Sequence, residues 1–254
     1  MNIAISEAAL AGYLLALVRA TAWLFIAPPF GGRMIPVQVK LGFAAAMALV
    51  AGPVLAQHPV PLEVVPLMGA AVLQVFAGVA LGYVGVIVFG VVQAAGGLID
   101  AFSGFNMAQM VDPTSTGMVS VFGRFYQVLA TTMLFTLNGH VFIVRGFLAS
   151  FEAAPLDSVR MDRMMDLVTI DLGRFLVAAL EISAPLIAAL LLTDLALGVL
   201  SRAAPNMNVF MLGMPLKMIV TIGLAAVALP LLPSVVEALF DPMVRQGLQI
   251  VGAG

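Results

Sequence analysis

Long uninterrupted stretches of apolar residues dominate the chain, and short polar segments separate them. The longest charge-free stretch, Val64 to Ile99, contains 36 residues without Asp, Glu, Lys or Arg. Because a helix needs about 20 predominantly apolar residues to cross a bilayer, this stretch predicts one very long helix or a broken one. Continuous runs without alternation of polar and apolar positions predict helices and not strands. The six apolar segments are Ala8 to Ile26, Leu41 to Leu55, Val64 to Leu98, Val119 to Val144, Phe175 to Leu200 and Ile219 to Val236.

Prolines lie near the ends of most of these segments, for example at Pro36, Pro205 and Pro230. Each proline removes a backbone donor, and in lipid the freed groups must be satisfied by neighbouring protein. We therefore predict an all-α polytopic membrane protein of kinked helical hairpins, with about six apolar helical segments. A further segment, Asp157 to Arg174, places Met, Val and Leu at helical spacing between Asp and Arg and is predicted to lie at an interface or in water.

Composition strengthens the membrane prediction. The chain is 62% hydrophobic and 9% charged, against about 45–50% apolar and about 25% charged residues in soluble domains. A net charge of −2 without a basic block gives no reason to expect nucleic acid as a partner. The absence of cysteine excludes disulfides and thiolate metal sites.

Few residues offer catalytic chemistry. The two histidines, His58 and His140, do not form a His-Glu-x-x-His zinc motif, and no phosphate-binding glycine loop is present. We therefore predict no catalytic, cofactor-binding or metal-binding residues. The nearest approach to a nucleophile site is Ser103, followed by Gly104, with His140 in the next apolar segment. An intramembrane protease would need such a pair, whereas a helix-end serine and a histidine bonded to a backbone carbonyl explain the same residues.

Five ionisable residues lie within or at the ends of apolar segments, where a charge at the bilayer centre costs at least about 2.5–3.5 kcal/mol. A secondary transporter would use such residues as an ion or proton site. A multi-subunit assembly would instead pair them across helices, and the residues alone leave both alternatives open. These residues are Arg19, Asp100, Arg124, Glu181 and Asp194.

A second open question concerns Gly78 and Gly82, a small-residue pair that lets two helix backbones approach closely. The contact could lie within this chain or at a subunit interface.

Three stretches resemble the FliR family of flagellar biosynthesis membrane proteins and, more distantly, its injectisome counterparts. Gly96 to Pro113 contains a G-x-x-I-D pattern and a methionine-rich turn, and Leu134 to Pro155 contains Asn-Gly-His. The third and most specific stretch is Leu192 to Lys217, LTDLALGVLSRAAPNMNVFMLGMPLK. The resemblance covers essentially the whole chain.

The resemblance implies a single export-gate membrane domain over residues 1–254. Residues 1–174 would resemble the partner FliP, and residues 175–254 would resemble the helix pair of FliQ. With FliP, FliQ and FlhB homologues the chain would form a passive channel for unfolded export substrates. It would not be an enzyme, and it would lie in the bacterial inner membrane within the flagellar basal body.

The loop near residues 104–118, GFNMAQMVDPTSTGM, would help to plug that channel, as its counterpart does in the family. Its apolar residues suit a constriction that closes by excluding water, and methionine adapts to varied neighbours. The alternative is a plain loop of turn residues between two helices. The predicted plug residues are Phe105, Asn106, Met107, Gln109, Met110, Val111, Asp112 and Pro113.

By the same resemblance, a second set of residues would serve packing and subunit contacts. Arg202 and Lys217 would bracket a turn between the two C-terminal helices. Asp194 and Arg202, about two helical turns apart, could share one helix face and pair with partner subunits. The set comprises Gly78, Gly82, Asn138, Gly139, His140, Asp194, Arg202, Pro205, Asn208, Pro215 and Lys217.

Overall fold

A computed structural model of the chain describes residues 7–32, 35–55, 62–105, 120–153, 161–206, 208–231 and 234. Every regular element within these ranges is a helix, so the all-α prediction is confirmed. The helices are α1 (Glu7–Ile26), α2 (Val37–Val50), α3 (Gly52–Leu55), α4 (Val64–Ser103), α5 (Val121–Thr136), α6 (Gly139–Ala153), α7 (Met161–Ala203) and α8 (Val209–Ala228), followed by a 3₁₀ turn at Leu229–Leu231.

Four of these helices are long and apolar enough to cross a membrane. They are α1, α4, the part of α7 from Phe175 to Ala203, and the part of α8 from Met211 to Ala228. The bent pair of α5 and α6 adds a fifth span if the two helices are counted together. This agrees approximately with the prediction of about six segments, since the remaining segment forms α2, which has only 14 residues.

Two helix boundaries in the structure differ from those predicted from the sequence. The segment Val119 to Val144 is divided between α5 and α6, because Asn138 adopts a left-handed backbone conformation with φ of 56°. Helix α8 begins at Val209, well before Ile219, because the Asn208 side chain accepts a hydrogen bond from the Met211 amide at 3.2 Å. Pro215 and Lys217 therefore lie inside α8, and the predicted turn containing them was wrong in its extent.

Two very long helices are also present. Helix α4 is continuous over 40 residues, so of the two predicted possibilities the unbroken helix is correct. Helix α7 runs for 43 residues, contains Pro185, and includes most of the amphipathic segment Asp157 to Arg174. The segment is thus the first part of a longer helix and not a separate element.

The chain divides into two compact units. The first comprises Met1–Val88, Leu134–Asp171 and Leu239–Gly254, and the second comprises Phe89–Met133 and Leu172–Ala238. Helices α4, α5 and α7 each contribute to both units. The division at residue 174 that the resemblance implies stays a prediction.

In the first unit, α1 packs against α4 and α6. A Cβ atom on Gly82 would lie 3.0 Å from the Cβ of Ile26, so the glycine allows the two backbones to approach. On another side of α1, the ring of Trp23 stacks on Phe147 with centroids 4.6 Å apart. Trp23 is 2% exposed, which places it in the core of this unit.

Arg19 is completely buried in the same core. Its guanidinium donates hydrogen bonds to the Gln74 side chain at 2.5 Å and to the Ser150 carbonyl at 3.0 Å. Its Cζ atom lies 4.6 Å from the centre of the Phe151 ring. Buried polar groups are tolerated when their hydrogen bonds are made, so this residue links α1, α4 and α6 instead of facing a solute.

Lys40 stabilises the turn that follows α1. Its ammonium donates to the carbonyls of Gly31 and Gly32, each at 3.1 Å, and lies 5.1 Å from the centre of the Phe25 ring. The ammonium thus satisfies two backbone carbonyls in this turn.

Candidate functional site at the ends of segment 106–119

The predicted plug lies mostly outside the described residues. Phe105 is described, whereas Asn106, Met107, Gln109, Met110, Val111, Asp112 and Pro113 are not. The structure does describe the two chain ends that this segment joins, residues 100–105 and residues 120–126. Both ends belong to the second unit.

Helix α4 ends in a turn at Ser103 and Gly104. The Ser103 hydroxyl donates to the Asp100 carbonyl at 3.2 Å and accepts from the Phe105 amide at 3.5 Å. Gly104 has φ of +87°, a conformation that glycine adopts without steric cost. The serine and glycine thus end the helix and set the direction in which the chain leaves it.

Asp100 connects this end to the start of α5. Its carboxylate is completely buried and accepts hydrogen bonds from the Ser120 hydroxyl at 2.5 Å and from the Phe122 amide at 3.0 Å. The Ser120 hydroxyl in turn accepts from the Gly123 amide at 2.8 Å, as an N-cap residue does. The acid also lies at the positive end of α5, where a negative charge is stabilised.

Glycines bring the two helices together at this point. A Cβ atom on Gly96 would lie 2.5 Å from the backbone of Phe122 and Gly123, so no larger residue could occupy this position without moving α5. A Cβ atom on Gly97 would lie 3.8 Å from the Ser120 hydroxyl oxygen, which is ordinary contact. The hydrogen bonds of Asp100 therefore form between closely packed backbones.

An aromatic cluster and a cavity adjoin these ends. The Phe105 and Phe122 rings meet edge to face with centroids 5.5 Å apart, and Phe122 also contacts Phe125 and Tyr126. A cavity of about 350 Å³ lies beside the cluster within the second unit. It is lined by Phe105, Val121, Phe122, Phe125, Ile222, Ala225, Ala226 and Leu229.

The small-residue pair packs within the chain. A Cβ atom on Gly78 would contact the carbonyl of Arg19 and would lie 2.9 Å from the Cβ of Ala22, both on α1. Gly82 meets Ile26 of the same helix. Of the two predicted alternatives, a contact within this chain and a contact at a subunit interface, the first is the one found at these two positions.

Asn138, Gly139 and His140 form the break between α5 and α6. A Cβ atom on Gly139 would lie 2.7 Å from the Leu134 side chain, which explains a glycine here. The His140 ring lies against Phe135 with centroids 5.1 Å apart, and its buried Nδ1 has no hydrogen-bond partner among the residues that the structure describes. His140 and Ser103 belong to different units, and the Ser103 hydroxyl is engaged at the end of α4.

The C-terminal residues occupy the hairpin of α7 and α8. Lys217 and Asp194 form an ion pair at 2.9 Å, with 19% and 45% of their side chains exposed. Helix α8 thus places Lys217 of the same chain beside Asp194, and the contact of Asp194 with a partner subunit stays a prediction. Arg202, Pro205, Asn208 and Pro215 are exposed at or near the turn between the helices.

The sequence singled out Asp100 as an ionisable residue at the end of an apolar segment but did not indicate its partner. A serine directly before an apolar helix is a recognised N-cap signal, and Ser120 stands in that position before Val121. Among the described residues, no group of three or more His, Asp and Glu could hold a metal ion.

The sequence pattern of bacterial export proteins, family 1, matches residues 10–243. The chain belongs to this family. It is 32% identical to the flagellar biosynthetic protein FliR of Escherichia coli K12 over 230 residues, which are 90% of this chain and 88% of that protein. It is 29% identical to FliR of Bacillus subtilis over 94% of this chain and 95% of that protein. It is 26% identical to the Yop proteins translocation protein T of Yersinia pestis over 81% and 80% of the two chains.

The matched residues 10–243 include nearly all of the described part of the chain. Helices α1 to α8, both ends of segment 106–119 and the Asp194–Lys217 pair fall within residues 10–243, apart from the first residues of α1. The FliR resemblance found in three stretches of sequence is confirmed by relatives aligned along most of the chain.

Proposed function

We propose that this bacterial export protein is a structural subunit of the flagellar type III export gate. The observation that carries the proposal is its similarity to FliR over about nine-tenths of both chains. The additional similarity to a Yersinia translocation protein supports a type III export apparatus in general. With FliP and FliQ homologues the chain would form a channel for unfolded substrates in the bacterial inner membrane, next to an FlhB homologue at the base of the flagellum.

The acids in the apolar helices support a structural role over solute transport. Asp100 accepts hydrogen bonds from Ser120 and Phe122, and Asp194 pairs with Lys217. Glu181, the third acid of the transporter hypothesis, is exposed on α7. Two of the three acids therefore have partners inside the chain, so their presence in apolar helices needs no transported ion.

Native mass spectrometry tests the assembly. The detergent-solubilised chain is expressed with and without FliP and FliQ homologues of the same bacterium. A defined complex that contains one copy of this chain supports the proposal. A monomer or homodimer that ignores both partners would overturn it, and transport assays in vesicles on Glu181 and Asp194 variants would then follow.

The proposed function includes a plug that closes the channel. Segment 106–119 contributes Met107, Met110 and Val111, apolar side chains that could close a narrow pore by excluding water. Deleting Gln109 to Ser115 should make membranes that contain the gate leak ions. A Gly/Ser replacement of the same length controls for loop length and should leak as well, because it removes the apolar side chains. Unchanged conductance in both variants would contradict the plug.

A further inference from the structure

We propose that the cavity beside Phe122 and the exposed guanidinium of Arg124 form a binding site for one phospholipid, with an acyl chain in the cavity and the phosphate on the arginine. Such a site goes beyond the proposed function, since it requires only that the chain lies in a membrane. It gives a ligand to Arg124, one of the five ionisable residues that the apolar segments contain.

The side chains that line the cavity are all apolar. The eight residues around its volume of about 350 Å³ are Phe, Val, Ile, Leu and Ala. Pockets for small molecules have volumes of about 300–1,000 Å³ and usually contain a few polar groups that orient the ligand. A cavity lined only by apolar side chains therefore suits a hydrocarbon chain and not a polar solute.

The cavity opens on the surface of a membrane-length helix. Ile222, Ala225 and Ala226 line it and belong to the part of α8 that is long and apolar enough to span a membrane and ends at Ala228. Ile222 and Phe125 are 57% and 42% exposed although they line the cavity, so the cavity is open to the outside. The end of this span and the start of α5 meet here, which places the cavity near the level of the lipid headgroups.

Arg124 lies at the rim of the cavity. It directly precedes Phe125 and follows Val121 by three positions, a spacing that makes two residues neighbours on a helix surface. Its side chain is exposed and makes no hydrogen bond or ion pair within the part of the chain that the structure describes. The residues three and four positions away on either side are Ser, Val, Gln and Val, so α5 itself offers no acid.

A phospholipid satisfies the cation and the cavity with one molecule. An arginine in an apolar helix is costly unless its guanidinium reaches the interface or a polar partner. The Cα–Cβ bond in a helix tilts towards the N-terminus, so the stem of Arg124 leans towards the start of α5 and the headgroup level. A guanidinium binds a phosphate with two parallel hydrogen bonds, and the acyl chain attached to that phosphate can enter the cavity beside it.

Photoreactive phosphatidylglycerol with a diazirine in its acyl chain tests the location of the site. One equivalent is added to the detergent-solubilised full chain, alone and in complex with FliP and FliQ homologues, and mass spectrometry identifies the labelled peptides after irradiation. We expect the label in peptides that contain residues 121–125 and 222–229 in both samples. Label elsewhere only, or loss of label from these peptides in the complex because a partner subunit fills the cavity, would overturn the lipid site.

Matched arginine substitutions test the phosphate contact. Native mass spectrometry of the detergent-solubilised chain, titrated with phosphatidylglycerol, measures the dissociation constant. Arg124→Gln should weaken binding about tenfold, because a hydrogen bond between charged groups contributes at least about that factor. Arg145→Gln removes an exposed arginine of α6 and should leave the constant unchanged.

Matched phenylalanine substitutions test the acyl-chain contact. Ala226→Phe fills the cavity, whereas Val227→Phe adds a ring at an exposed neighbour that does not line it. Only the first should weaken binding, by about tenfold or more, because the loss of two buried methylenes already corresponds to that factor. Diacylglycerol, which lacks the phosphate, should bind equally to the unsubstituted chain and to Arg124→Gln, and more weakly to Ala226→Phe.

Equal dissociation constants for Arg124→Gln and Arg145→Gln, or for the two phenylalanine variants, would overturn the site. If Ala226→Phe does not fold, Ala226→Leu against Val227→Leu decides in the same way. If the chain forms no complex with its partners, the proposed function fails, and the measurements on the chain alone still decide the lipid site.

Discussion

Helix α1 and the hairpin of α7 and α8 are both apolar enough to span a membrane, yet they use their surfaces differently. In the membrane-length span of α1, 44% of the residues are buried within the chain, against 22% in α7 and 17% in α8. Helix α1 is therefore a core helix of its own unit. The hairpin leaves most of its apolar side chains facing outward, for example Met211 at 71% and Val227 at 74% exposure.

The polar groups differ in burial in the same way as the apolar ones: those of α1 are buried and those of the hairpin are partly exposed. Arg19 of α1 is fully buried and bonded to Gln74 and Ser150. The hairpin instead carries an ion pair, Asp194 and Lys217, that remains partly exposed. Hydropathy alone does not distinguish these cases, because it measures the tendency to leave water and not whether lipid, another subunit or the same chain supplies the contact.

The largest expected effect comes from Arg19→Ala. The change leaves the Gln74 and Ser150 acceptors without this donor and removes the contact with Phe151. We expect the free energy of unfolding in detergent to fall by about 3 kcal/mol or more. Denaturant titration followed by fluorescence of Trp23, the single tryptophan and a neighbour in the same core, measures it.

Arg124→Ala is the matched control, because Arg124 is exposed on α5. It should change the unfolding free energy by less than about 0.5 kcal/mol. Equal losses for the two arginines would mean that the α1 core does not depend on the buried guanidinium, and the distinction between the regions would weaken.

A smaller effect on stability is expected when Gly78 of α4 or Gly198 of α7 is replaced by alanine. Gly78→Ala would push a methyl group into the backbone of α1 and should destabilise the chain by about 1–3 kcal/mol. Gly198→Ala on α7 meets nothing within 4 Å and should be neutral or stabilise the helix by up to about 1 kcal/mol. Thermal unfolding of the isolated chain measures both.

The Gly198→Ala and Gly78→Ala variants also show which helix faces contact protein in the assembled complex. If Gly198→Ala lowers assembly with FliP and FliQ homologues while leaving the isolated chain unaffected, the outward face of α7 is packed against protein. If assembly is also unaffected, that position faces lipid or solvent. A Gly78→Ala variant as stable as the unsubstituted chain would contradict the close approach of α1 and α4.

The helical segments could be predicted from the sequence because a bilayer imposes a minimum apolar length, and each of the six apolar segments corresponds to one or more helices. The break at Asn138 could not be located by hydropathy, since it lies inside one apolar segment and one backbone angle decides it. The Asn-Gly pair was the available signal. The start of α8 was likewise set by a single side chain, Asn208.

Side-chain partners were harder to predict than helices. Asp100 stood out as an ionisable residue at the end of an apolar segment, but its partner Ser120 lies 20 residues further along the chain. Helical spacing suggested that Asp194 shares a face with Arg202, whereas the structure pairs it with Lys217, 23 residues away on the next helix. Such contacts depend on how helices pack, and periodicity along one helix does not contain that information.

The smallest expected effect concerns this ion pair. Because both side chains are partly exposed, the coupling between Asp194 and Lys217 should be only about 0.2–1 kcal/mol in a double-mutant cycle on the isolated chain. The cycle uses Asp194→Ala, Lys217→Ala and the double variant in thermal unfolding. Asp194→Ala with Arg202→Ala is the matched control cycle and should show no coupling. A coupling well above 1 kcal/mol would mean that the hairpin buries this pair, and α7 and α8 would then resemble the α1 core more than their exposed faces indicate.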